Sequence, residues 1–158
     1  MLRPAEGIDG KPATIVTRMA NLVLQSASKT GQLCYVVLDA YFSTGPMFQI
    51  LRTAVIEDAQ QLVHIITRAR KNYVGFLDRE FSTKRYDDDD KYRLMDWFDF
   101  PEFFTAAQLG TYGKSRTIEY MCMDLLWRPI DNFVRFVCIK DGDGKYVLMC
   151  SDLNLSPM

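Results

Sequence analysis

The residues best suited to chemistry are one aspartate and one basic cluster, each placed at the end of an apolar run. Asp39 follows the run Cys34–Leu38, and Thr67–Asn72, which holds two arginines, a lysine and an asparagine, ends the run that starts at Leu62. A carboxylate can hold a divalent cation, while arginine and lysine neutralise phosphates. The combination therefore suits a site where a metal ion meets a phosphodiester.

Both apolar runs are typical of strands that are buried on both faces, as in the interior of a parallel sheet. Between the runs, Ser43 or Thr44 can cap a helix, and Pro46 fits its first turn. A strand, a helix and a strand in this order predict a parallel pair with a right-handed crossover. The two strands then share one carboxyl edge, where ligands of open α/β sheets bind. We therefore expect Asp39 and the basic cluster at the same edge.

Each feature also has a plainer interpretation. Aspartate often begins a turn, so Asp39 alone is compatible with a turn as well as with a site. Cations after a strand are often a solvated loop, and this interpretation is the better one for residues 68–72 taken alone.

Composition and charge limit the classes of function. The 158 residues fit one domain with a substantial core, since 48% are hydrophobic and 13% aromatic. With 19 basic and 20 acidic residues, the net charge of -1 gives no global attraction to nucleic acid, so DNA binding must depend on a local basic patch. The sequence has no membrane-length apolar run and no signal peptide pattern, which predicts a cytoplasmic protein without membrane partners.

The cysteines and the single histidine indicate packing rather than chemistry. His64 lies inside a strand-like run and no G-x-S-x-G motif is present, so a packed histidine is favoured over a hydrolase triad. The cysteines lie in apolar runs without a C-x-x-C pair, which predicts reduced core thiols. They are Cys34, Cys122, Cys138 and Cys150.

Apolar residues at helical spacing predict two helices. The first is expected from Pro12 to about Ser28, and the second from about Gly45 to Asp58. The stripe of the second helix that packs inwards is expected to comprise Phe48, Leu51 and Val55.

The second half of the chain changes from helical to strand patterning. The aromatic run Trp97–Phe104 is expected to form a satellite core rather than a base-stacking platform, and a short helix is expected over Pro101–Leu109. Asn132–Lys140 and Lys145–Ser151 alternate in polarity around Asp141–Gly144, which predicts a β-hairpin. This antiparallel part is interpreted as an insertion or as an extension of the sheet.

Four segments, in order, resemble successive blocks of the DDE transposases of bacterial insertion sequences. The first, Leu38–Phe42, is similar to the region that bears the second acid of the catalytic triad. The last, Leu148–Pro157, is similar to the segment just before the helix with the Tyr-x-x-Arg-x-x-x-Glu signature, which bears the third acid. The two blocks between them are Thr67–Asn72 and Asp124–Pro129.

The resemblance implies an α/β fold: a ribonuclease-H-like parallel or mixed sheet core with an antiparallel β insertion, truncated at both ends. It implies a flexible N-terminus at residues 1–11, a partial core at 12–76, a loop and short-helix connection at 77–115 and the insertion at 116–158. In the intact enzyme, three carboxylates would hold two divalent ions, Mg²⁺ or Mn²⁺, for phosphoryl transfer on transposon-end DNA. Asp39 matches the second acid and is the candidate catalytic and metal-binding residue.

Because the basic cluster is expected to lie beside Asp39, its residues are the candidate contacts to the DNA backbone. Its members are Arg68, Arg70, Lys71 and Asn72.

The other two acids of the triad have no evident counterpart in this sequence. Upstream of Asp39 the only acids are Glu6 and Asp9, neither of which ends an apolar strand, and the sequence contains no Tyr-x-x-Arg-x-x-x-Glu segment. Asp124 is expected to face solvent from a strand and Asp152 to cap a turn, so neither is a favoured substitute. We therefore expect this chain alone to be catalytically inactive, because a divalent cation needs several oxygen ligands.

Two function classes follow from this pattern. The chain is either the central piece of a transposase or a non-catalytic module that binds element DNA or full-length transposase and so inhibits transposition. A third class, an unrelated α/β domain that binds a small phosphorylated ligand at the Asp39 edge, has no glycine-rich phosphate loop to support it.

Overall fold

The computed structural model describes residues 13–56, 60–77 and 91–157. Within these ranges the chain forms an α/β fold, and none of its helices combines the length and apolarity needed to cross a membrane. The α-helices are α1 (Ile15–Thr30) and α2 (Gly45–Leu51). The strands are β1 (Cys34–Leu38), β2 (Val63–Arg68), β3 (Val74–Gly75), β4 (Tyr92–Arg93), β5 (Thr105–Thr111), β6 (Lys114–Trp127), β7 (Asn132–Asp141) and β8 (Gly144–Cys150). Short 3₁₀ segments span Ala40–Phe42, Leu94–Asp99, Pro101–Phe103 and Arg128–Ile130.

Six of the strands form one mixed sheet in the order β1, β2, β8, β7, β6 and β5. Strands β1 and β2 are parallel, as predicted, with Leu38 opposite Thr67 at their carboxyl ends. All other neighbours in this sheet are antiparallel, and β8 joins the two parts by pairing with β2. The antiparallel part is therefore an extension of the sheet, which is one of the two alternatives that the sequence left open.

Helix α1 begins and ends at capping residues. The Thr14 hydroxyl accepts a hydrogen bond from the Thr17 N–H at 3.2 Å. Gly31 adopts a left-handed φ of 62° and donates its N–H to the Ala27 carbonyl at 3.0 Å. The predicted start at Pro12 lies outside the described residues, and the helix ends slightly later than predicted.

Helix α2 is much shorter than predicted. It ends at Leu51 instead of continuing to Asp58, a position outside the described residues. Phe48 and Leu51 are buried as predicted, but Val55 is 58% exposed and forms an isolated β-bridge with Gln61. Three β-branched residues follow Leu51 within the described range, and their preference for extended backbone favours an early end of the helix.

The helix predicted over Pro101–Leu109 is wrong. Pro101–Phe103 is one 3₁₀ segment, and β5 begins at Thr105. Strand β5 pairs with β6 along its whole length, starting with Thr105 opposite Tyr120. The backbone hydrogen bonds of this hairpin ladder outweigh the local helix propensity.

The hairpin predicted around residues 141–144 is confirmed. Strands β7 and β8 pair from Arg135 opposite Cys150 to Asp141 opposite Gly144. The turn contains Gly142, whose φ of 57° is costly for most other residues.

One face of the large sheet carries the core. Helices α1 and α2 and the segment Leu94–Asp99 pack against inward residues of β1, β2, β7 and β8. Phe48 and Phe136 are the largest of the fully buried side chains. On the opposite face of β1, the side chains of Tyr35 and Val37 are 41% and 73% exposed. Strand β1 is therefore an edge strand covered on one face, and the prediction that its run is buried on both faces inside a sheet is wrong. The helices fix the carboxyl edge of β1 and β2 from one side only.

Candidate nucleic-acid interface

Asp39 lies at the carboxyl end of β1, where the sequence places it. Its Oδ1 accepts a hydrogen bond from the Tyr41 N–H at 2.8 Å and caps the 3₁₀ segment Ala40–Phe42. Its main-chain carbonyl accepts a hydrogen bond from the buried Thr67 hydroxyl at 2.7 Å, which ties the ends of β1 and β2 together. Oδ2 has no hydrogen-bond partner among the described residues, and the side chain is exposed. The turn and a ligand-binding role are thus compatible, because each can use a different oxygen.

The two arginines of the basic cluster leave the shared edge in different directions. The Arg68 guanidinium lies 5.3 Å from the centroid of the Tyr146 ring on β8. The Nη2 atom of Arg70 lies 3.5 Å from the carbonyl oxygen of Tyr41, two residues beyond Asp39. Arg70 is therefore the arginine with a contact to the segment that Asp39 caps.

Lys71 and Asn72 face a different concavity, which we call the basic groove. It consists of three adjoining pockets that share Asn72, Lys91, Arg93 or Asp96 with one another. The polar residues that define it are Thr44, Lys71, Asn72, Lys91, Arg93, Asp96 and Arg128.

Sequence reasoning missed the basic groove because its cations come from three separate stretches of the chain. Lys71 follows β2, Lys91 and Arg93 flank Tyr92 of β4, and Arg128 follows β6. Among the residues that the structure describes, four cations line the groove against one acid, Asp96. The alternation of Lys91 and Arg93 just before the aromatic run is the one local signal that could have indicated it.

The cations of the basic cluster are not neutralised by Asp39. Among the described residues, the ion pairs within 4.0 Å are Arg116 with Asp141, Arg135 with Asp124, and Lys140 with Glu119. Arg68, Arg70 and Lys71 form none of them, so their charges are available to phosphates.

The described residues do not build a complete metal centre. Within ranges 13–56, 60–77 and 91–157, no three His, Cys, Asp or Glu side chains come together to hold a metal ion. Asp39 offers one carboxylate, and one of its oxygens already caps a turn. Since Mg²⁺ and Mn²⁺ need several oxygen ligands, Asp39 and its described neighbours alone do not fit the metal pair that the resemblance implies.

The aromatic run is only partly a satellite core. Phe98 is 5% exposed and packs in the core, as predicted. Phe100 and Phe103, in contrast, are 46% and 53% exposed, and with Trp97 they line one end of the basic groove. The expectation that the whole run is internal is therefore wrong for its outward residues.

Asp124 and Asp152 both have structural partners. Asp124 is exposed on β6, as predicted, and it forms a two-point ion pair with Arg135 at 2.7 and 2.8 Å. Asp152 caps a turn as predicted, since its Oδ1 accepts the Asn154 N–H at 2.9 Å. Its Oδ2 also accepts the Tyr35 hydroxyl at 2.5 Å, and only 8% of the residue is exposed.

His64 belongs to the same cluster as Asp152 and is a packed strand histidine, as predicted. Its ring stacks on Tyr35 with centroids 5.6 Å apart, and Nδ1 lies 3.2 Å from the Ser151 Oγ. Burial lowers the pKa of His64, and the charge of Asp152 opposes that shift. The hydrogen bond to Asp152 raises the pKa of Tyr35 to about 12. This cluster fixes the chain where it leaves β8.

The four cysteines are free thiols, two of them fully buried. Burial raises the pKa of Cys138 to about 12 and also raises the pKa of Cys150. Both thiols are therefore unreactive at neutral pH.

Comparison of the chain with known proteins gave no matching family model, no similar curated protein and no similar solved structure, so the candidate interface stands on its own geometry and on the ordered sequence blocks.

Proposed function

We propose that the chain is the central piece of a DDE transposase catalytic domain with a ribonuclease-H-like core, and that alone it binds DNA without cleaving it. The observation that carries the proposal is the placement of Asp39. It sits at the carboxyl end of β1, beside the end of the parallel neighbour β2, whose last residue is Arg68 and which Arg70 and Lys71 follow. Ligands of open α/β sheets bind at this edge, so an acid beside cations there supports the resemblance.

In the intact enzyme, divalent ions would promote phosphoryl transfer on DNA, with Asp39 as one of their ligands. The described residues supply no second or third carboxylate at this edge, so no cleavage step is assigned to the chain itself. Its own residues position Asp39 and hold phosphates. The Thr67 hydroxyl fixes the Asp39 main chain at 2.7 Å, and the cations next to it attract the DNA backbone.

A binding module that inhibits transposition is the second candidate. The observation in its favour is that the arginines and the lysine of the cluster have no acidic partner among the described residues while the acid set is incomplete. The DNA on either side of the coding sequence separates the two candidates. A strand-ending aspartate upstream and a Tyr-x-x-Arg-x-x-x-Glu segment downstream would mark an interrupted enzyme.

Neutralising the two arginines of the basic cluster is expected to weaken duplex binding roughly ten-fold or more and to lower the salt dependence of binding by roughly 0.9 per lost phosphate contact. The variant is Arg68→Gln/Arg70→Gln, and Lys71 is kept because it lines the basic groove. Fluorescence anisotropy of a labelled mixed-sequence duplex, repeated over a range of salt concentrations, measures both quantities.

A matched variant controls for net charge. Arg18→Gln/Arg52→Gln removes two exposed cations from α1 and the end of α2 and should leave the affinity within about two-fold, because contacts rather than net charge set the salt slope. Asp39→Asn should not weaken binding, since it removes a negative charge beside the phosphates. Equal losses for the two double variants would contradict the assignment of the β2 edge as the DNA interface.

A further inference from the structure

Three outward aromatic rings of the chain pack together, and we call them the aromatic cluster. They belong to Trp97, Phe100 and Phe103, which lie in or between the 3₁₀ segments Leu94–Asp99 and Pro101–Phe103. The Trp97 ring centroid lies 6.2 Å from that of Phe100 and 5.8 Å from that of Phe103, and the centroids of Phe100 and Phe103 are also 6.2 Å apart.

The aromatic cluster is held in place by contacts with β4 and with the core. The Trp97 ring stacks on Tyr92 of β4 with centroids 5.5 Å apart and an interplanar angle of 19°. Leu94, the residue three positions before Trp97, is fully buried in the core. The outer rings, Phe100 and Phe103, are about half exposed. The exposed parts of these two rings therefore stand on a rigid base and need little ordering when they meet a ligand.

Cations lie next to the aromatic cluster. The pocket lined by these rings has a volume of about 300 Å³ and includes Lys91, Arg93 and Asp96 in its wall. This size is at the lower end of the range for small-ligand pockets, which is roughly 300–1,000 Å³. The same Lys91 and Arg93 also line the next pocket of the basic groove, together with Lys71. The groove therefore runs without a break from an aromatic end to a cationic middle.

The far end of the basic groove is polar. Its pocket is lined by Thr44, Asn72 and Arg128, and the Thr44 Oγ1 is buried without a hydrogen-bond partner among the described residues. A buried hydroxyl without a partner is destabilising, and a ligand oxygen would satisfy it. A linear ligand with planar rings and repeated anionic oxygens matches all three parts of the groove.

We propose that the basic groove binds single-stranded DNA, with bases stacked on Trp97, Phe100 and Phe103 and phosphates along Lys91, Arg93 and Lys71. This inference rests on the proposed function and names a second DNA substrate class for it. Aromatic faces accept any unpaired base, whereas the bases of a duplex are already stacked on one another. The aromatic cluster thus favours unpaired strands, while the β2 edge contacts the phosphate backbone of single-stranded and double-stranded DNA alike.

The test compares affinities for a labelled oligonucleotide of about 12 nucleotides, within the usual site size of single-strand binding folds, and for its duplex. Phe100→Ala/Phe103→Ala is expected to weaken single-strand binding about ten-fold or more and to change duplex binding less than about two-fold. Phe100→Tyr/Phe103→Tyr retains the ring faces and should retain the affinity, whereas Phe100→Leu/Phe103→Leu retains apolar bulk and should not.

Tyr112 provides the matched control. It is fully exposed at the turn between β5 and β6 and does not line the basic groove, so Tyr112→Asn should leave both affinities unchanged. The left-handed φ of 50° at this position is one that asparagine tolerates. Photocrosslinking from bromouracil-substituted strands, mapped by mass spectrometry, is expected at residues 92–103.

The outcomes for the groove and for the β2 edge can be told apart. Loss of single-strand binding only in the Ala and Leu variants of Phe100 and Phe103 supports binding of single strands in the groove. This holds even if substitution of Arg68 and Arg70 leaves duplex binding unchanged. Unchanged single-strand affinity in those variants, or crosslinks confined to other segments, overturns it. A change of oligomeric state in the same variants, measured by analytical ultracentrifugation without DNA, also overturns it, because the rings would then contact a second copy of the chain.

Discussion

Phe48→Ala is expected to lower the free energy of unfolding by about 3–5 kcal/mol, the usual cost of removing a buried phenylalanine ring. Phe48 is 0% exposed on α2, and its ring meets Trp127 of β6 edge to face at a centroid distance of 5.2 Å. The substitution leaves a cavity between the helix and the sheet that rigid neighbours fill only partly. Since small domains are stable by only about 5–15 kcal/mol, the loss is a large part of the total.

Urea unfolding, monitored by circular dichroism, measures this loss, provided that the dependence of the unfolding free energy on urea concentration is the same in both proteins. Phe103→Ala, which truncates the same residue type at a position that is 53% exposed, is the control and should cost less than about 1 kcal/mol. Equal costs at the two positions would mean that α2 does not pack on the sheet as described. Because α2 directly follows Asp39–Thr44, the Phe48 variant should also loosen the edge that carries Asp39.

The parallel pair of β1 and β2 could be predicted from sequence because its signals are local and agree with one another, although β1 is an edge strand and not the interior strand that the pattern predicts. The apolar run of β1, its cap-and-proline helix start and the apolar run of β2 all indicate the same unit, and the β7 to β8 turn contains residues that accept positive φ. The position of Asp39 follows from this unit alone, since the end of a parallel strand lies at a defined edge.

The errors arise where strand pairing or the assembly of separate segments decides the local structure. Residues 105–109 form β5 because the chain turns back at Tyr112 and Gly113, both at positive φ, and pairs with β6 as a hairpin. The basic groove was missed for a different reason: Lys71, Arg93 and Arg128 become neighbours only after β2, β4 and β6 are in place. The aromatic cluster was missed because the sequence does not show which rings of the run Trp97–Phe104 stay exposed.

Asp152→Asn is expected to lower the free energy of unfolding by about 1.5–3 kcal/mol near neutral pH, the range for hydrogen bonds to a charged group. Asp152 is 8% exposed and accepts hydrogen bonds from the Tyr35 hydroxyl and the Asn154 N–H. Burial acts to raise the pKa of this carboxyl, but those hydrogen bonds prevail and hold the pKa below its ordinary value. The carboxylate therefore ties the segment after β8 to β1, two strands away.

The pH dependence separates the charge of Asp152 from its shape. A lowered pKa means that the contribution is complete above the unfolded value of about 3.9 and is lost as the pH falls through the folded value. The difference between wild type and Asp152→Asn should thus be constant from about pH 7 to pH 5 and shrink below about pH 4. His64 also titrates, because its lowered pKa costs stability as the pH falls below about 6.5, so both proteins are best compared in a His64→Gln background. A difference that does not shrink even well below the folded pKa would assign the effect to packing, since the carboxyl is then protonated in both states.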